Sequence, residues 1–128
     1  MSEQKFPVKM FVYGTLREGF GLHNSAMSGA KFLGKHRTVP SFSLYAKYYP
    51  WLTRNGNTSV TGEVYEVDEN RFKRINSIEC GAGYKLEEIE LEDGQIVSAY
   101  IYPREEDLKH VSVEKIEGGD FVAWKHSR

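Results

Sequence analysis

The chain has 128 residues, a length that suits one hydrophobic core, so we expect a single domain over residues 1–128. Its 17 Lys and Arg residues nearly balance 18 Asp and Glu residues, and the net charge of −1 disfavours binding to nucleic acid or to a membrane. One cysteine excludes an internal disulfide, and the first residues lack the apolar segment of a signal peptide. These properties predict a cytoplasmic protein.

The first strong pattern is an apolar run that ends in a glycine. The run Val8–Val12 is followed by Tyr13 and Gly14, which predicts a strand that ends in a tight turn. Because Gly14 has no Cβ atom and can adopt a positive φ, backbone N–H groups here can approach a ligand closely. Such groups form nests that attract a carboxylate or a phosphate. The alternative interpretation is a strand that turns and binds nothing.

Short strands are predicted wherever apolar and polar side chains alternate between turn signals. The segments concerned are residues 31–39, 41–45, 60–67, 84–91 and 96–102. Residues 55–57 predict a turn, and the Asp-Gly pair at 93–94 predicts a hairpin. Residues 23–29 predict a short helix, and the tail beyond residue 110 is ambiguous, with a helical turn as one option. Together these elements indicate an α+β domain built on a curled or closed sheet.

A helix after Asp68 carries the feature that most suggests catalysis. Asp68 is a suitable N-cap, and Phe72, Ile75 and Glu79 recur at helical spacing on one face. Because that face carries two apolar side chains, we expect it to be buried, and a carboxylate there is costly unless it lines a cavity. Burial and the helix dipole then raise the pKa of Glu79 from about 4.3 towards neutrality, as a general base requires. The alternative is a helix that ends early and leaves Glu79 in water.

The order of the motifs supplies a resemblance. The motifs are Val-Tyr-Gly-Thr-Leu-Arg at 12–17, Pro-Trp-Leu at 50–52, residues 62–68, and Glu79 followed by glycines and Tyr84. In this order and spacing they resemble the γ-glutamylcyclotransferase-like superfamily. Within it, the chain is most similar to the small AIG2-like branch, which includes γ-glutamylamine cyclotransferase. The likeness extends over about residues 11–102.

The resemblance implies both a fold and a site. The fold is a small mixed β-barrel with flanking short helices and a cavity at one end. The substrate's α-carboxylate is held by backbone N–H groups of Tyr13, Gly14, Thr15 and Leu16. Glu79 is the acid/base residue, and Tyr84 lies in the pocket. Family members release 5-oxoproline from γ-glutamyl compounds without a metal or cofactor, so the implied partner is a small γ-glutamyl molecule.

Three positions depart from the family pattern. Asn76 stands where the family often has Asp, Cys80 stands where a Gly commonly follows the Glu, and Lys85 only approximates a basic position after Tyr84. These differences leave the acid/base residue Glu79 in place, and we expect them to affect which substrate is preferred. A function of another class stays open, namely a catalytically silent barrel that binds a small carboxylate or a protein partner.

Other residues are weaker candidates for function. Cys80 has no histidine near it in the sequence, and the four histidines lack metal-ligand spacing. A lone cysteine is more often a small apolar filler than a nucleophile. Trp51 with its neighbouring tyrosines fits the core or a pocket wall better than a base-stacking surface, because no basic stripe accompanies it.

Overall fold

The secondary structure is that of a mixed α+β protein. The computed structural model describes residues 5–14, 27, 29–47, 49–110 and 112–127. Its strands are β1 (Val8–Val12), β2 (Lys31–Arg37), β3 (Phe42–Ala46), β4 (Pro50–Thr58), β5 (Thr61–Val67), β6 (Lys85–Glu90), β7 (Ile96–Ile101) and β8 (Glu114–Lys115). Its helices are α1 (Glu69–Gly81), a 3-10 helix (Glu105–His110) and α2 (Phe121–His126). Within these ranges, every helix is too short or too polar to cross a membrane.

The strands form two sheets. The larger sheet has the order β2-β5-β1-β7-β6, and the smaller has the order β4-β3-β8. In the larger sheet β1 is antiparallel to β5 and parallel to β7, so it lies at the centre. The other pairs of the described strands are antiparallel. This central position explains why β1 is a nearly continuous apolar run.

The expected β-barrel is not confirmed, because the two sheets are not closed into one. In the described part of the chain, the edge strands β2 and β6 meet at one isolated bridge, between Thr38 and Leu91. The backbone hydrogen bonds from Val39 N to Glu90 O (3.1 Å) and from Glu92 N to Arg37 O (2.9 Å) lie on either side of it. Pairing stops there because Pro40 follows on one side and the hairpin turn follows on the other. The sheet therefore curls until its edges touch, without closing.

Both faces of the larger sheet are covered. Alternate side chains of β1 enter two different clusters of buried residues. Phe11 and Tyr13 belong to the cluster that includes the smaller sheet, while Met10 and Val12 contact the cluster that includes Ile75 of α1. The end of β1 is therefore held from both sides, and the residues that follow it start from a fixed position.

Helix α1 has the bounds that its caps predict. The Asp68 carboxylate accepts a hydrogen bond from the backbone N–H of Arg71 at 2.8 Å, as expected of an N-cap. Ile75 is fully buried, which confirms the buried face. The helix continues to Gly81, and the backbone N–H of Tyr84 donates back to the Glu79 carbonyl at 3.0 Å. The alternative of a helix that ends before Glu79 is therefore wrong.

The predicted strands are confirmed, with boundaries that shift by at most two residues. The predicted hairpin is also confirmed, because Gly94 has a φ of +91° between β6 and β7. The tail contains the short strand β8 and the helix α2, whose N-cap is Asp120. The helix predicted over residues 23–29 lies outside the described residues, apart from Met27 and Gly29.

The turn predicted at residues 55–57 is wrong, because strand β4 continues through these residues. Phe42 pairs with Thr58, whereas its neighbour Ser43 pairs with Thr53, so the residues between the two partners on β4 form an irregularity in the ladder. The Ser43 hydroxyl donates to the Asn55 carbonyl at 2.7 Å and stabilises this excursion.

Gly62 allows a close approach that supports the site, and this can be tested. A Cβ atom there would collide with the backbone carbonyl of Val12 and the ring of Phe11. We expect Gly62→Ala to lower the free energy of unfolding by about 1–3 kcal/mol, measured by urea denaturation. The matched control is Gly118→Ala, where nothing lies within 4 Å and the change should stay within about 0.5 kcal/mol. Equal effects of the two substitutions would contradict this packing.

Candidate active site

A cavity of about 260 Å³ lies where the end of β1, the start of β4 and the last turn of α1 meet. Its described lining consists of Phe11, Val12, Tyr13, Gly14, Tyr49, Pro50, Trp51, Ile78, Glu79, Ala82, Tyr84 and Tyr100. Four of the residues singled out from the sequence, Tyr13, Gly14, Glu79 and Tyr84, are therefore lining residues. Thr15 and Leu16 lie outside the described residues, so their role stays a prediction.

The cavity has a buried floor and an exposed mouth. Phe11, Tyr13 and Tyr100 are at most 6% exposed and form the floor. Tyr49 and Ile78 are 60% and 41% exposed, so they stand at the mouth. A molecule in the cavity can therefore reach solvent past these two residues.

Gly14 is required for space. A Cβ atom at Gly14 would fall on the ring of Pro50. Its φ is not among the positive values found in the described glycines, so the left-handed conformation does not explain this glycine. The space taken by the Pro50 ring does, and the expected approach of a ligand to the backbone N–H groups stays a prediction. The contact joins the end of β1 to the start of β4 and closes that side of the cavity.

Three tyrosine hydroxyls of the lining donate their protons away from Glu79. The bonds run from Tyr13 to the Tyr100 carbonyl (2.7 Å), from Tyr84 to the Pro50 carbonyl (2.5 Å) and from Tyr100 to Asn76 Oδ1 (3.0 Å). A hydroxyl has one proton, so each phenol oxygen is left with acceptor capacity only. These three phenols therefore offer acceptors, and not donors, to a group in the cavity.

Burial dominates the electrostatics of Glu79. It raises the pKa of this carboxyl from the ordinary 4.5 to about 7. Among the described residues none donates a hydrogen bond to the carboxylate, and none of the described buried side-chain polar atoms lacks a partner. The Glu79 oxygens must therefore reach the open space of the cavity. The raised pKa confirms the direction expected from the spacing on α1.

The same carboxylate acts on its aromatic neighbours. The pKa values of Tyr13, Tyr84 and Tyr100 are raised well above the ordinary value of 10. Burial is the main cause, and nearby negative charge, including that of Glu79, adds to it. All three phenols therefore stay neutral at physiological pH. Glu79 and these three tyrosines all line the same cavity.

Cys80 and Asn76 differ in their relation to the site. Cys80 is exposed and is not a lining residue, so the interpretation of its thiol as an apolar filler is wrong. Its Sγ donates to Asn76 Oδ1 at 3.6 Å. Because Asn76 Oδ1 also accepts the proton of Tyr100, Asn76 orients that phenol from outside the cavity.

Tyr100 is one of the lining residues that the sequence patterns missed. It lies on β7, and the parallel pairing of β1 with β7, where Met10 faces Ser98, brings it to the cavity. The residues around Tyr100 were predicted to form a strand, but no local pattern indicates which strand will lie beside β1. Trp51 was expected in the core or in a pocket wall, and the second possibility is confirmed.

The raised pKa has a consequence for stability. The folded protein binds more protons at Glu79 than the unfolded chain between about pH 4.5 and 7, so this group's contribution to the free energy of unfolding falls as the pH rises through that window. Glu79→Gln removes the effect. We expect its stability relative to the unsubstituted protein to increase by about 1–3 kcal/mol from pH 4.5 to pH 8, measured by urea denaturation. A difference that does not change with pH would contradict the raised pKa.

Comparisons with known proteins agree with the motif order. A family model described as "Gamma-glutamyl cyclotransferase, AIG2-like" matches residues 10–124. A Methanocaldococcus jannaschii protein with a provisional gamma-glutamylcyclotransferase name is 35% identical over 120 residues, which are 91% of this chain and 97% of that protein. These matches span nearly the whole described chain.

Solved structures are similar as well. An uncharacterized protein from Pyrococcus horikoshii has a TM-score of 0.73 at 35% identity, and the match covers 94% of this chain and 96% of that one. An aig2-like protein from Mus musculus has a TM-score of 0.61 at 32% identity, with coverage of 77% and 78%. The chain therefore belongs to the AIG2-like gamma-glutamyl cyclotransferase family.

Proposed function

We propose that the protein is a cyclotransferase that releases 5-oxoproline from a γ-glutamyl amine, with Glu79 as its acid/base residue. One observation carries this proposal. Glu79 and Gly14 line the same cavity, and burial raises the pKa of the Glu79 carboxyl to about 7. A carboxyl with that pKa can accept a proton and return it near neutral pH. Membership of the family supports the same reaction.

In the proposed complex, the glutamyl half of the substrate lies on the floor of the cavity. Backbone N–H groups of Tyr13, Gly14, Thr15 and Leu16 bind its α-carboxylate. The α-ammonium group then lies beside Glu79. The phenol oxygens of Tyr84 and Tyr100 can accept hydrogen bonds from an ammonium group, because their own protons are donated elsewhere.

The proposed reaction is an intramolecular attack. The Glu79 carboxylate takes one proton from the α-ammonium group, and the freed nitrogen lone pair attacks the γ-carbonyl carbon. This new C–N bond closes the five-membered ring. The bond from that carbon to the leaving amine then breaks as the leaving nitrogen takes the proton from Glu79. The ring nitrogen then releases its extra proton to the Glu79 carboxylate, which passes it to the released amine. The products are 5-oxoproline and the amine as its ammonium ion, and Glu79 is again a carboxylate.

The protein's main contribution is positional. Both reacting groups belong to one flexible molecule, so holding it folded on a rigid floor removes much of the entropic cost of ring closure. The floor suits this purpose, because Phe11, Tyr13 and Tyr100 are almost fully buried. No step requires a group beyond the side chains and backbone named here.

The first test is turnover by the purified protein. A panel of γ-glutamyl amines and γ-glutamyl dipeptides should yield 5-oxoproline and the free amine, measured by chromatography with mass detection. Glu79→Gln should lower kcat by about 10²–10⁴-fold, because it removes the proton acceptor. Glu88→Gln is the matched control, since Glu88 is an exposed glutamate on β6 outside the cavity.

The outcomes separate two functions. Activity that survives Glu79→Gln would refute the acid/base role. No turnover across the whole panel would instead favour a catalytically silent protein that uses the same cavity to bind a small carboxylate or a protein partner.

The pH dependence gives a second prediction. Because the base must be ionised, kcat/KM should rise about tenfold per pH unit on the acidic side and level off near pH 7, where burial places the pKa of Glu79. Asn76→Asp adds a negative charge one helical turn away and should move the midpoint upward. A midpoint near pH 4.5 in the unsubstituted protein would show that Glu79 is not the titrating base.

A further inference from the structure

We infer that the mouth of the cavity binds the aromatic ring of an arylalkyl leaving amine. The γ-glutamyl amides of such amines are then better substrates than those of small alkyl amines. This inference rests on the proposed function and specifies its substrate class. The subsite consists of Tyr49, Trp51 and Ile78, and we call it the aromatic mouth.

The position of the leaving amine follows from the shape of the cavity. The glutamyl half must lie beside Gly14 and Glu79 for the proposed reaction. The floor beyond them is closed by Phe11 and Val12, which are at most 3% exposed. The amine half therefore extends towards the exposed lining residues, and its substituent lies against the aromatic mouth.

The aromatic mouth exposes apolar surface that the fold does not need there. Four large hydrophobic side chains of the described chain are exposed, namely Phe32, Tyr49, Ile78 and Ile96. Two of them, Tyr49 and Ile78, line this one cavity. Single exposed apolar residues need no explanation, but two that flank a cavity mouth indicate a surface for a ligand.

The Trp51 ring at the mouth packs against other rings of the fold. The ring of Trp51 packs edge-on against Tyr102 at 6.4 Å between centroids, and Tyr102 packs edge-on against Tyr84 at 5.8 Å. Tyr84 is in turn held by its hydrogen bond to the Pro50 carbonyl. This series of rings connects the mouth to the catalytic end of the cavity. A pre-organised aromatic wall loses little entropy when a ligand ring packs on it.

The ligand chemistry follows from these contacts. An aromatic substituent on the amine can stack on, or pack edge-on against, Trp51 and Tyr49, and it also buries Ile78. An ethyl substituent covers much less of this surface. A preference of about tenfold or more for the aromatic amide is therefore expected from ring packing together with apolar burial.

The experiment compares γ-glutamylphenethylamide with γ-glutamylethylamide and measures kcat/KM for each. The ratio of the two values is then measured for Trp51→Leu and Tyr49→Ser. The two amines differ in their intrinsic leaving ability, but that difference is the same for every variant. A change in the ratio between variants therefore reports the ring contact alone. Tyr49 is largely exposed, so Tyr49→Ser provides a folded variant even if Trp51→Leu does not fold.

We expect the unsubstituted protein to prefer the phenethylamide by about tenfold or more, and each substitution to lower that ratio at least threefold. Ile96→Asn is the matched control, because Ile96 is 57% exposed but does not line the cavity, and the ratio should stay the same. Turnover with an ethylamide preference, or a ratio that the mouth variants leave unchanged, would overturn the inference while the proposed function stands. Absence of turnover with every γ-glutamyl amide would overturn both.

Discussion

A carboxylate that is shielded from water and receives no hydrogen bond from the described residues is the constraint on which the rest of this site depends. Burial alone raises the pKa of Glu79 to about 7. Hydrogen-bond donors could have cancelled that effect, and three tyrosines line the same cavity. Each donates its proton to another acceptor, and two of these acceptors, the carbonyls of Pro50 and Tyr100, belong to the backbone of the fold. The backbone geometry therefore helps to keep Glu79 poised for proton transfer.

The fold places this carboxylate by joining elements that are distant in the sequence. Helix α1 packs on one face of the larger sheet through Ile75, and its last turn reaches the end of β1. On the other side, the close contact of Gly14 with Pro50 joins that strand end to β4. Because β1 is buried on both faces, neither contact can shift without disturbing a core. A cavity with a rigid floor is the result.

Local patterns predicted much of this arrangement, and the errors have physical causes. Helical spacing placed Glu79 on the buried face with Ile75, and capping chemistry placed the start of α1 at Asp68. The expected barrel was not confirmed, because closure depends on how far two edge strands pair, which no local pattern records. Tyr100 was missed for a related reason, since the parallel pairing of β1 with β7 is a long-range contact. Gly14 lines the cavity, where the close approach of Pro50 rather than a positive φ explains the absence of a side chain, and its role in binding stays a prediction.

The central claim, a Glu79 carboxyl that ionises near neutral pH inside the free protein, can be measured directly. Protein labelled with ¹³C at the glutamate side-chain carboxyl is titrated by NMR, and the Glu79 signal is assigned by its loss in Glu79→Gln. The account predicts a midpoint near pH 7 for that signal. A midpoint near 4.5, the ordinary value for a glutamate, would show that the carboxylate is in water and would contradict the account.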